Sequence, residues 1–323
     1  MRTKWIVGIV SILVVSIGCF LLLRNVFLSE KKSPGYAQEI WSIGIYAGDS
    51  PLSLSGAAGV ANPVLTALDV SDAEAVFVAD PFMIREKDSW YMFFEVYNKD
   101  SGHGDIGLAT SADGSKWTYR QIVLDEGFHL SYPYVFEWNG EFYIIPESHE
   151  RGRLQLYKAN NFPFDWSYSG TLLIGDFVDP SILFHNQKVW LFTETNPEGN
   201  DSLCLYYADD LMGRWIAHPQ NPIIDGDANM ARPGGRIVCV DGRLVRYAQD
   251  DDPTYGNRLR AFEIIELTTE SYKEQEILLS PPLKGSGSGW NADGMHHIDP
   301  HRLDDGSWMA CVDGCRFVHL NSK

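Results

Sequence analysis

The sequence predicts an all-β fold, a five-bladed β-propeller preceded by one N-terminal transmembrane helix. Three observations carry that reading: a hairpin pattern that occurs five times, a repeat spacing near fifty residues, and an uncharged apolar run close to the N-terminus. Repeats of this length with about four strands per period are the signature of a propeller.

The first hairpin is "VFVADPFMIREKDSWYMFFE", a short apolar strand, a polar turn and a second aromatic strand. Four relatives follow: "HLSYPYVFEWNGEFYIIPES", "DFVDPSILFHNQKVWLFTET", "NMARPGGRIVCVDGRLVRYAQD" and "HHIDPHRLDDGSWMACVDG". Their anchoring prolines are Pro81, Pro133, Pro180, Pro233 and Pro300, separated by 52, 47, 53 and 67 residues. A polar residue closes the second strand 14 residues after the proline in three units (Glu95, Glu147, Glu194), 16 after in the fourth (Gln249) and 13 after in the fifth (Asp313).

Between the hairpins, "GDIGLATSADGSKWTY", "GRLQLYKANNFPFDWSY", "SLCLYYADDLMGRWIAH" and "RLRAFEIIELTTESYKE" read as outer strand pairs, with Trp117, Trp166 and Trp215 as blade-core residues. The fifth unit has no such outer half after it, and "IWSIGIYAGDS" near the start supplies a matching strand. Residues 40–70 are therefore expected to complete blade five and close the ring. The domain reading is a membrane anchor and tether over 1–32 and a propeller over 33–323.

From Trp5 to Leu23 the chain runs 19 residues without a charge, about the length that a helix needs to cross a membrane. The run is longer than a usual signal-peptide apolar region, so an uncleaved signal-anchor is expected, with the globular domain on the extracytoplasmic side. The first 32 residues hold five basic groups and one acid, leaving 21 basic and 42 acidic residues in 33–323. That excess of negative charge argues against a nucleic-acid partner. Cys204, Cys239, Cys311 and Cys315 fit no zinc pattern and no dense disulfide framework, with a Cys311–Cys315 bridge and four free thiols both left open. No metal and no cofactor are expected: "DGDAN" at 225–229 lacks the glycine and distal glutamate of a calcium loop in register.

In a propeller the innermost strands line a central channel, so one repeat position becomes one rim. The residues preceding the prolines are Asp80, Tyr132, Asp179, Arg232 and Asp299, with His296 and His297 beside the last. Asp-Pro also begins ordinary strands and turns, but its return at matched positions in three blades points to a site. Asp80, Asp179 and Glu147 are the candidate catalytic groups. Tyr132, Arg232, His296, His297, Asp299 and Glu95 are the candidate substrate-binding groups.

These motifs resemble the five-bladed propeller superfamily of glycoside hydrolases that includes family 43 arabinanases and xylosidases and the invertase-levansucrase group. In that superfamily an Asp on blade one is base or nucleophile, an Asp on blade three tunes the site, and a Glu opening blade four is the acid. The resemblance places the first two roles on Asp80 of "VADPF" and Asp179 of "FVDPS". At the third position this chain has Ala231 and Arg232, and a guanidinium cannot donate a proton near neutrality. Glu147, Glu95 or His297 would then have to serve, Glu147 first.

Over nearly the whole chain after the anchor, "ADPFM", "HLSYPYVFE", "ARPGGR" and "WNADGMHHID" resemble the N-terminal domain of the plant glucosamine inositolphosphorylceramide transferase family. The resemblance implies a propeller in a glycan or glycolipid setting, without the separate glycosyltransferase domain of the plant enzymes. Two readings follow from it: a membrane-anchored propeller that cleaves or transfers a glycosidic bond, or a non-catalytic glycan-binding or scaffold module working with a separate glycosyltransferase. A protein-interaction propeller is a third, and would carry an apolar rim patch.

Overall fold

The computed structural model describes residues 37–278 and 282–319. The predicted membrane helix falls outside these residues, and among the described ones no helix is long and apolar enough to cross a membrane. Glu39–Phe317 form one compact unit of five antiparallel sheets, the five blades of a propeller.

Each predicted hairpin is the inner pair of a blade. Blade one pairs Ala75–Glu86 with Ser89–Asn98, blade two Ser131–Trp138 with Glu141–Glu147, and blade three Val178–His185 with Lys188–Glu194. Blade four pairs Val238–Val240 with Arg243–Asp250, and blade five pairs Ile298–Arg302 with Trp308–His319. Two-residue hairpin turns favour positive φ, which Asn, Asp and Gly adopt most readily. Asn139-Gly140, Asn186-Gln187 and Asp241-Gly242 all have it.

The ladder order of the fifth sheet runs Ser53–Gly56, Ala37–Ser50, Trp308–His319, Ile298–Arg302. Strands from both ends of the described chain thus share one blade, and the ring has no open seam there. Cys204, Cys239, Cys311 and Cys315 are free thiols, so no Cys311–Cys315 bridge contributes.

Apolar side chains fill the spaces between blades. Phe93 of blade one meets Trp166 of blade two edge-on, with ring centroids 5.3 Å apart, among buried Leu108, Ile144 and Leu156. Blades four and five approach backbone to backbone: Gly235 forms a parallel bridge with Ile298, and a Cβ at Gly235 would lie 1.7 Å from the Ile298 carbonyl oxygen. That contact explains the paired glycines of "ARPGGR".

One backbone detail sets up the rim. Asp80, Tyr132 and Asp179 have φ of 51°, 45° and 49°, and at each the ladder is interrupted, resuming two residues on at Phe82, Tyr134 and Ser181. The following proline has no N–H to offer the ladder, so pairing fails there and the strand bulges. Non-glycine residues at positive φ are held there at a cost and gather at functional sites. Asp299, by contrast, pairs in regular register with Cys311.

Candidate functional site

The bulges of blades one and three turn Asp80 and Asp179 toward the axis, where the inner-hairpin ends deliver Glu95, Glu147, Gln249 and Asp313. All six are buried. Asp80 is 6% exposed and Asp179 1%. Two cationic groups stand among them, each committed to a carboxylate. Arg232 Nε donates to Asp179 Oδ2 at 2.6 Å, and Gln249 Nε2 donates to the same oxygen at 2.6 Å. Arg232 Nη1 donates to Asn200 Oδ1 at 2.9 Å, and its Nη2 lies 3.8 Å from Glu147 Oε2. His296 Nδ1 lies 2.8 Å from Asp313 Oδ2, with Nε2 3.9 Å from Asp80 Oδ1.

Asp313 also accepts the backbone N–H groups of Asp80, His296 and His297, fixing both loops on one carboxylate. Aromatic rings close the rim: Trp41 stacks on His296 at 4.0 Å, and Tyr255 meets the same imidazole edge-on at 5.3 Å while covering the Arg232 guanidinium at 5.2 Å. Tyr255 is 38% exposed against 4% for Trp41, so of these two rings it is the one open to solvent.

The protonation pattern follows from burial and neighbours. Burial pushes Asp80 up to about 6, with His296 opposing and Asp313 adding to the rise. Burial pushes Glu95 well above the usual carboxylate range, and Asp80, Glu147 and Asp179 push it further. Glu147 goes the other way: burial would raise it, but the hydrogen bond with His149 Nδ1 at 2.8 Å and the Arg232 charge hold it down at about 2. For Asp179 burial raises the pKa and the bonded guanidinium opposes it. Burial would lower His296, but Asp313, with Asp80 and Asp251, raises it to about 9, and burial lowers His297 to about 4. The funnel therefore pairs an imidazolium with Asp313 and holds His297 neutral.

His149→Ala is expected to move Glu147 upward from about 2, since the bond with His149 is the largest effect holding it down. A carboxyl-carbon NMR titration of Glu147 in both proteins would read the shift, and an unmoved Glu147 would assign its acidity to Arg232 instead.

Of the sequence candidates, Asp80, Glu95, Glu147, Asp179, Arg232 and His296 gather at the funnel. Tyr132 and His297 form its wall: the Tyr132 hydroxyl bonds Ser181 Oγ at 2.8 Å, and Phe82 and Tyr132 meet the His297 ring edge-on. Asp299 is placed apart. Without a bulge its carboxylate stays in the channel wall, bonded by Arg236 Nε at 2.5 Å, Met83 N at 2.7 Å and His301 Nε2 at 3.0 Å. Sequence reasoning missed Trp41, Tyr255, Asn200, His149 and the site role of Asp313 and Gln249. The last two sit at the strand-end repeat position, a signal that was available.

The fold and site together define a five-bladed propeller with a buried, carboxylate-lined funnel on its axis. The chain belongs to the family described as glucosamine inositolphosphorylceramide transferase 1, N-terminal, whose model matches residues 36–315. It is 39% identical over 297 residues to glucosamine inositolphosphorylceramide transferase 1 of Arabidopsis thaliana, covering 85% of this chain and 39% of that protein. The Oryza sativa subsp. japonica protein of the same name is 38% identical, with 85% and 40% covered. The chain thus spans about two fifths of the length of these relatives. The fold is similar to Cellvibrio cellulosa alpha-L-arabinanase (TM-score 0.54, 16% identity, 76% of this chain and 92% of that one). It is also similar to the catalytic domain of the Coprinopsis cinerea GH62 alpha-L-arabinofuranosidase (TM-score 0.55, 12% identity, 85% and 96% covered).

Proposed function

We propose that the funnel around Asp80 takes up a saccharide, the headgroup of a glycolipid or a cell-surface glycan, and cleaves or transfers a glycosidic bond. The observation that carries this reading is a pair of buried carboxyl groups at the funnel, Asp80 and Glu95, each 6% exposed; burial raises Asp80 to about 6 and pushes Glu95 well above the usual carboxylate range. Glycosidic cleavage needs such a pair, one carboxylic acid to protonate the leaving oxygen and one carboxylate to attack or to activate water. Asp80 is assigned as base or nucleophile and Asp179 as the orienting acid. Glu95 replaces Glu147 as proton donor, because a carboxyl held at about 2 has no proton to give near neutrality. The 19-residue apolar run Trp5–Leu23 supports a membrane tether beside such a headgroup, with the propeller on the extracytoplasmic side.

One observation favours a second reading, a glycan-binding module serving a separate glycosyltransferase. Arg232 stands where the superfamily's acid would be and binds Asp179 at 2.6 Å. A glycan array on the purified protein, followed by turnover assays of bound glycans with Asp80→Asn and Glu95→Gln, separates the two. Turnover lost in both variants with binding retained supports the enzyme. Binding without turnover in the wild type supports the module, and no glycan binding at all overturns both.

A further inference from the structure

Behind the funnel wall, the outer half of blade one gathers a second cluster of metal-type ligands. His103 and Asp105 open the strand His103–Ser111, two residues apart and so on one face of it. Its antiparallel neighbour Thr118–Leu124 pairs Leu124 with Ile106, which brings Asp125, the next residue, alongside. One ligand atom from each of His103, Asp105 and Asp125 lies within 4.8 Å of the others.

Asp105 is the anomaly that asks for a ligand. It is 1% exposed, its Oδ2 accepts from the Asn98 amide at 2.9 Å, and its Oδ1 has no hydrogen-bond partner. That free oxygen points to the His103 ring, 3.4 Å from Nδ1, which also lies 3.3 Å from the Gly104 carbonyl oxygen. A buried carboxylate facing a second carboxylate is costly unless a cation joins them.

We infer that His103, Asp105 and Asp125 form a binding site for one divalent transition-metal ion of the zinc class. Ligands about 2.0–2.1 Å from a tetrahedral zinc stand roughly 3.3 Å apart, close to the 3.4 Å between His103 Nδ1 and Asp105 Oδ1, and the ion would take the place of the Nδ1 proton. An imidazole among the ligands selects zinc-like ions over magnesium and calcium, which prefer oxygen alone. Water would complete the shell on the exposed Asp125 side. The ion would pin blade one's outer strands to the linker that leads to blade two. There the Gly104 N–H donates to His129 Nδ1 at 2.9 Å, and His129 Nε2 lies 3.8 Å from Glu95 Oε1. The site therefore supports the funnel wall without belonging to it.

Isothermal titration of EDTA-stripped protein with zinc chloride, repeated with magnesium and calcium chloride, tests this directly. Asp125→Asn and His103→Gln are the variants, with Asp80→Asn as control for the separate Asp80, His296 and Asp313 cluster. Asp125 is exposed, so Asp125→Asn keeps the fold, checked by a metal-free melting temperature no lower than that of the wild type. The expected result is one zinc per chain and a higher melting temperature with zinc. Affinity should fall more than about tenfold in both ligand variants, as even indirect ligand supports are worth that much, and stay unchanged in Asp80→Asn. Absence of zinc binding by the wild type overturns the site, as does affinity unaltered by both ligand variants, loss of binding in Asp80→Asn alone, or tighter binding of magnesium or calcium.

Discussion

Arg236→Leu is expected to lower the unfolding free energy by about 3–5 kcal/mol, the cost of leaving a buried charge without its partner. Asp299 is 0% exposed, and Arg236 is its cationic neighbour in the channel wall, bonding both carboxylate oxygens. The same guanidinium donates to the Val135 carbonyl at 3.0 Å and lies 4.6 Å over the Tyr134 ring, so it ties blades two, four and five together. A urea melt would show a lower midpoint. Arg236→Met combined with Asp299→Leu should recover much of the loss, because an apolar pair leaves no uncompensated charge. Burial would raise the Asp299 pKa, but Arg236 and His301 hold it far below the usual range. A depressed carboxylate contributes stability that is present above its unfolded value, about 4, and lost as the pH falls toward the folded one. The acid limb of the stability profile should therefore be shallower in Arg236→Leu, and a midpoint equal to that of the wild type would dismiss the pair as a structural element.

The hairpins were legible because strand alternation, turn residues and the proline register are local signals that recur five times. What decides whether a rim residue faces the axis is less local. Asp80 and Asp299 both precede proline, yet only Asp80 sits in a bulge with positive φ, and only it enters the funnel. The two Asp-Pro dipeptides alone do not separate these outcomes, since the difference lies in whether the ladder continues past the proline. Trp41 and Tyr255 escaped because neither occupies a repeat position: one lies on the strand Ala37–Ser50 and the other in the loop after Arg243–Asp250. The order of proton affinity was equally hidden. Glu95 and Glu147 hold the same place in their repeats, and only the neighbours His149 and Arg232 make Glu147 the stronger acid. The apolar run at 5–23 remains a reading of the sequence, because it lies outside the described residues.

Asp80→Asn separates function from stability most sharply, since the two should move in opposite directions. Asparagine adopts positive φ about as readily as aspartate, so the bulge at φ 51° is preserved. Burial raises the Asp80 pKa from 3.8 to about 6, so the folded protein favours its protonated form. That contribution is fully present below the unfolded pKa and is lost as the pH rises through the folded one. At pH 8 the wild type therefore carries a cost of about 3 kcal/mol for ionising Asp80 in place, the equivalent of moving a carboxyl from 3.8 to about 6. Asparagine has no charge to bury, so the variant should be more stable than the wild type by up to that amount above pH 6. The gain should shrink to nothing below about pH 4. Activity on a bound glycan should fall about 10²–10⁴-fold, the usual contribution of a positioned acid or base. A stability difference that is absent at pH 8 would mean that Asp80 bears no burial cost. A stability gain with unchanged turnover would leave the raised carboxyl intact as physics but remove it from the reaction.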